Sequence, residues 1–173
     1  MKFRVILPIA TGLLAAACAS TDMATPHDPG PAAPGVPTAS APAPIPNYDW
    51  HLNRHENEVS LAYGVADSDD VRLSLHCLAG VRTVTLHKDV EDGAPSVIHL
   101  ESGGETERFP AQGEESLLTG GVILTAEADA DHPVFQRFRR LGWVASWVGE
   151  RREPYAAHPG SETAVEGFFS ACG

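Results

Sequence analysis

The sequence predicts a mainly β domain, an antiparallel sandwich or flattened barrel, with two short helices, one of them C-terminal. Three observations predict it. Apolar and polar residues alternate in short runs between Tyr48 and Trp147, the period of a half-buried strand. Turn residues separate these runs at intervals of about ten residues, as in small antiparallel folds. Helical spacing of apolar residues is confined to two stretches, around Phe135 and around Phe168.

The central run is Asp70–Cys77. Val71, Leu73, Leu75 and Cys77 share one parity, and Arg72, Ser74 and His76 share the other. That is a strand apolar on one face, wet on the other, and ending in a core-facing cysteine. Before it, Tyr48, Trp50 and Leu52 open the domain, and His55-Glu56-Asn57 reads as a turn. Val59, Leu61 and Tyr63 form a second alternating run ended by Gly64, and the acidic loop Asp67-Ser68-Asp69-Asp70 leads into the central run. After it, Ala79-Gly80 predicts a tight hairpin, with Val84 and Leu86 on the return strand. Glu91–Pro95 reads as a loop, and Ile98 and Leu100 as a short strand. Ser102-Gly103-Gly104 turns that strand into Thr106–Phe109. A polar loop surrounds Gly113, and Val122–Thr125 is a strand entered through Gly120-Gly121.

The texture then changes. Asp131 is expected to cap a helix with Pro133 just inside it. Val134, Phe135, Phe138 and Leu141 recur at helical spacing, and Gly142 is a natural stop. Trp143, Ala145 and Trp147 alternate as a strand, with a turn at Gly149-Glu150. Thr163 and Glu166 have capping-box spacing. Val165, Phe168, Phe169 and Cys172 then make one apolar stripe, so Cys172 faces inward as Cys77 does.

Residues 1–17 read as a signal peptide. Lys2 and Arg4 give a positive start, and Val5–Ala17 is an apolar run shorter than the roughly 20 residues a bilayer span needs. The run closes in Leu14-Ala15-Ala16-Ala17-Cys18, which resembles the lipobox of bacterial lipoproteins. That resemblance implies a diacylglyceryl group on Cys18 at the mature N-terminus. With Ala19 rather than aspartate following, it also implies sorting to the outer membrane. Ala15 stands where leucine is commonest, and Ala15-Ala16-Ala17 also suits ordinary signal peptidase, so a secreted or soluble periplasmic chain is the alternative. Residues 18–46 hold eight prolines and read as a polyproline-II-like tether. The single folded domain is then 47–173.

Three cysteines are an odd number for an exported chain. With Cys18 lipidated, as the lipobox resemblance implies, Cys77 and Cys172 are left as a disulfide pair in an oxidising compartment. Two buried free thiols are the alternative.

The formal charge of -11 argues against nucleic acid and anionic lipid headgroups, which select clustered Lys and Arg. No catalytic motif stands out: there is no Gly-x-Ser-x-Gly, no His-Glu-x-x-His and no phosphate-binding glycine loop. His76, His87 and His99 sit on the polar parity of three strands. If those strands pair in meander order, the imidazoles share a face and are candidate metal ligands, although the spacing matches no metal motif. His51 and His55 are a weaker pair. Asp67, Asp69 and Asp70 read as a solvated loop, lacking the spacing of a calcium site. Arg137, Arg139, Arg140, Arg151 and Arg152 read as a solvated helix face, with docking of an envelope anion as the alternative. No cofactor, metal or catalytic residue is assigned.

Leu61-Ala62-Tyr63-Gly64, Asp69-Asp70-Val71 with Leu73-Ser74-Leu75-His76-Cys77, and Phe168-Phe169-Ser170-Ala171-Cys172 together resemble a group of small exported proteins of alphaproteobacteria. No activity or catalytic residue carries over from that group. The resemblance bears on domain extent and cysteine pairing; the lipobox, the spacer, the expected bridge and the absence of a catalytic motif make the expected protein a non-enzymatic binding or assembly module. It is tethered by lipid to the outer membrane, faces the periplasm, and has envelope proteins or peptidoglycan as partners. An envelope hydrolase built from scattered His and Asp, and a metal- or ligand-binding periplasmic protein, are the alternatives.

Overall fold

The computed structural model describes residues 40–117 and 119–173. Residues 1–17, expected to be a signal peptide, Cys18, and most of the stretch expected to be a tether lie outside the described residues. Ten strands and two helices follow in order: β1 (Tyr48–His55), β2 (Glu58–Val65), β3 (Val71–Leu78), β4 (Thr83–Val90), β5 (Val97–Ser102), β6 (Glu105–Pro110), β7 (Gln112–Glu115), β8 (Val122–Asp129), α1 (Pro133–Leu141), β9 (Trp143–Val148), β10 (Arg151–Ala156) and α2 (Glu162–Ala171).

The strands form two antiparallel sheets packed as a sandwich, not closed into a barrel. One sheet has the order β1-β2-β3-β4-β8-β7 and the other β10-β9-β5-β6. The chain meanders through β1–β4, crosses to the second sheet for the β5–β6 hairpin, and returns at β7. Hence β4 pairs with β8 and not with β5. Within β3 the expected parity holds: Leu73, Leu75 and Cys77 are buried. The β2–β3 register shifts between Tyr63 and Gly64. Glycine is required there, because a Cβ on Gly64 would lie 2.5 Å from the Asp70 carbonyl oxygen.

The helices differ from expectation at their starts. The α1 N-cap is His132 rather than Asp131: its Nδ1 accepts from the Val134 amide at 3.5 Å. Asp131 is drawn off by Arg82 and by the Gln136 side-chain amide. Pro133 does occupy the first turn, and Gly142 ends the helix at φ 73°, its amide returning to the Phe138 carbonyl. Leu141 sits at the exposed margin of the stripe. The capping box at Thr163 does not form. Helix α2 starts at Glu162, Thr163 donates to the Gly160 carbonyl, and Glu166 binds Arg139 instead. The loop expected around Gly113 is the short edge strand β7, hydrogen-bonded to β8.

The core lies between the sheets, and the helices fill it out. Helix α1 contacts β5, β6 and β9, and α2 contacts β1 and β2. Phe138 packs tilted at 4.9 Å from Trp50 and Phe135 lies 5.3 Å from Phe169, measured between ring centroids. Tyr63 and Tyr155 meet across the sandwich at 5.1 Å. The Tyr63 hydroxyl is buried and makes no hydrogen bond of good geometry among the described residues, with only the Ile45 backbone acting weakly on it. An unpaired buried hydroxyl costs about 1–3 kcal/mol. Tyr63→Phe is therefore expected to leave urea stability unchanged or raise it by about 1 kcal/mol. A clear loss of stability would show that the hydroxyl has a partner, such as a buried water.

Candidate functional site

Of the residues singled out by sequence, Cys77 and Cys172 come together most plainly. Their sulfurs lie 1.99 Å apart, with Cα atoms 5.7 Å apart, a pair at disulfide distance. Cys77 arrives at the end of β3 and Cys172 at the C-cap of α2, and both are buried. An adjacent backbone bond reinforces the junction, from the Gly80 amide to the Ala171 carbonyl at 2.8 Å.

The three histidines do not share a face. His76 and His87 meet on the outer face of the six-stranded sheet, edge to face at 4.9 Å. His99 is on β5, in the other sheet. The meander condition fails because β8 takes the position beside β4. Burial, and after it the charge of His76, hold the His87 imidazole below its ordinary range. His87 shares a hydrogen bond with Thr125 and His76 with Ser74, and Glu58 lies 3.4 Å from His76. Among the described residues, no three His, Cys, Asp or Glu side chains are placed to hold one ion. His51 and His55 are four apart on strand β1, about 13 Å along it, so they are not a pair.

The arginines are not one patch either. Arg137 binds Glu105 and Glu107, Arg139 grips Glu166, Arg151 meets Glu153, and Arg152 holds Glu101. Four of the five thus face different carboxylates on different elements. Asp70 belongs to a surface network with Arg72 and the Tyr48 hydroxyl.

A cavity of about 630 Å³ opens at one end of the sandwich. Its walls come from the starts of β3 and β10, the end of β4 and the turn into β8. At its base a polar chain crosses between the sheets. Lys88 Nζ donates to Glu153 at 2.7 Å and to the Arg72 carbonyl at 3.3 Å. The Tyr155 hydroxyl donates to the same Glu153 oxygen at 3.0 Å and lies 2.7 Å from Ser146 Oγ. Lys88 is only 5% exposed. Burial pulls its ammonium below the ordinary value, against the Glu153 hydrogen bond and charge. Burial also works to raise Glu153. The hydrogen bond and charge of Lys88, with Tyr155 and Arg151, outweigh it and hold the carboxyl below its usual range. The two side chains thus meet as a buried ion pair. Ser146 is fully buried, and burial pushes the Tyr155 hydroxyl pKa upward. The serine is closed to substrate, and the chain reads as a strut between sheets rather than a nucleophile with its base.

Sequence reading passed over this pair. One signal was available: Lys88 shares the parity of the core residues Val84, Leu86 and Val90. A lysine on the apolar side of a strand needs a buried partner.

The arrangement is a β-sandwich with a charged inter-sheet cleft at one end. Comparisons with protein-family models, curated proteins and solved structures found no match to this chain.

Proposed function

We infer that this chain is a non-enzymatic binding or assembly module of a bacterial envelope. In this reading, lipid on Cys18 anchors it to the outer membrane and residues 18–46 hold the domain off the surface toward the periplasm. The observation that carries the reading is the cysteine pair. A terminal helix joined to a central strand at disulfide distance suits a domain that works outside the reducing cytoplasm. It also leaves Cys18 as the unpaired third cysteine, at the position the lipobox resemblance marks. The cleft supports binding over catalysis, because Lys88 and Glu153 at its base are engaged with each other in an ion pair.

The test is fractionation of intact cells expressing the full chain or Cys18→Ser. The expected result is a shift of Cys18→Ser from the membrane to the soluble fraction. Unchanged partitioning would refute the anchor. Crosslinking and pull-down from the same cells then reads the partner.

A further inference from the structure

The outer face of the four-stranded sheet carries a row of side chains set by register. Arg108 on β6 lies opposite His99 on β5, His99 opposite Trp147 on β9, and Trp147 opposite Arg152 on β10. At about 4.8 Å between strands the row is about 14 Å long. The main core is on the opposite side of this sheet, formed by Ile98, Leu100, Phe109, Val144 and Tyr155.

Arg108 is exposed and His99, Trp147 and Arg152 are half-buried, while Trp143, Ala145 and Ala156 on the same side form a small buried cluster. The face is rigidly built. Glu101 lies on it, only 7% exposed. It accepts two hydrogen bonds from the Arg152 guanidinium, at 2.9 and 3.0 Å, and one from Trp147 Nε1 at 2.8 Å. The Arg152 hydrogen bonds, with Trp147 adding to them against desolvation, hold the carboxyl below its usual range. Arg152 also stacks 5.4 Å from the centroid of the buried Trp143 ring. Desolvating a carboxylate is costly, and the core does not require one here. Its effect is to fix the orientation of an indole and a guanidinium beside it, the device of a preorganised site.

Next to the row is a small cavity. The β5–β9 pairing starts at His99 and Trp147, and beyond that pair the strands part. The gap is about 90 Å³, rimmed by His99 and Trp147 and lined by Val90, Pro95, Val97 and Leu124.

We propose that this face binds a glycan of N-acetylated hexosamines. A pyranose ring has an apolar C–H face and a rim of hydroxyls. The first suits a fixed indole and the second suits planar donors flanking it. The apolar gap takes the acetamido methyl, and His99 at its rim meets the amide. Arg152 is already neutralised by Glu101, which favours a neutral polar ligand over an anion. The proposal deepens the binding-module reading, and rests on it for where such a glycan is met.

Titration of the full-length protein in detergent with tri-N-acetylchitotriose, and with cellotriose lacking the acetamido groups, tests the site apart from the anchor. The expected result is saturable binding of chitotriose, with cellotriose about tenfold weaker or more. Arg108→Ala, at an exposed position, is expected to weaken chitotriose binding about fivefold, and Arg140→Ala on α1 to leave it unchanged. No binding, equal binding of the two saccharides, or indifference to Arg108→Ala would overturn the proposal. Membrane partitioning of Cys18→Ser reads the envelope assignment independently.

Discussion

Breaking the Cys77–Cys172 pair is expected to cost the domain about 2–5 kcal/mol. The two residues are 95 positions apart, so a bridge encloses every element from β4 to α2. In the chain-entropy description, closing a loop of that length removes much of the freedom of the unfolded chain. Cys172 is fully buried beside Val165, Phe168 and Phe169, and the α2 terminus is held to the β3–β4 hairpin. Urea unfolding of the oxidised protein, of the protein under reductant, and of Cys172→Ala should show both bridge-free forms unfolding at clearly lower denaturant. A loss below about 1 kcal/mol in both would show that helix packing alone secures the terminus.

The second large effect is expected at Lys88. Lys88→Met removes the cation from the inter-sheet strut and leaves Glu153 partly buried without its main partner. Orphaning one member of such a pair costs about 3 kcal/mol or more. Glu153 retains 23% side-chain exposure, which keeps the loss toward the lower end. The double variant Lys88→Met/Glu153→Gln is expected to recover most of the stability, because no unpaired charge remains. Acid dependence gives an independent check. The Glu153 carboxyl is held below its ordinary 4.5 in the folded state. Its contribution is therefore complete above that ordinary value and lost as pH falls through the folded value. Wild-type stability should fall more steeply than that of the double variant below about pH 4.5. Identical acid slopes would remove Glu153 from the account.

What was legible in the sequence was local. The alternation of Val71, Leu73, Leu75 and Cys77 requires only neighbouring residues to be read, and so does the stripe of Val165, Phe168, Phe169 and Cys172. Both gave the right face. Strand order depends on long-range pairing, so the placement of β8 beside β4, and with it the separation of His99 from His76 and His87, was not visible. Strand β7 carries no apolar face, since Gln112–Glu115 is exposed throughout, and hydrophobic pattern cannot reveal such a strand. Caps depend on competing partners: Arg82 takes Asp131 away from the α1 start. Trp143, Ala145 and Trp147 alternate as expected, but their shared parity faces away from the inter-sheet core, where Trp143 and Ala145 join a second small buried cluster, and Val144 supplies the main-core contact. The Arg108–His99–Trp147–Arg152 row exists only once register is known. The inter-sheet strut left one local trace, a lysine at a core parity.

Under the proposed function the chain is an exported domain with one lipid-bearing cysteine and one internal bridge. Intact mass spectrometry of the protein from membranes, alkylated without reductant, tests it most directly. The account predicts that residues 1–17 are absent, that Cys18 carries acyl groups, and that Cys77 and Cys172 take up no alkylating agent until reductant is added. A chain retaining Met1, or one in which Cys77 and Cys172 alkylate without reductant, would contradict it.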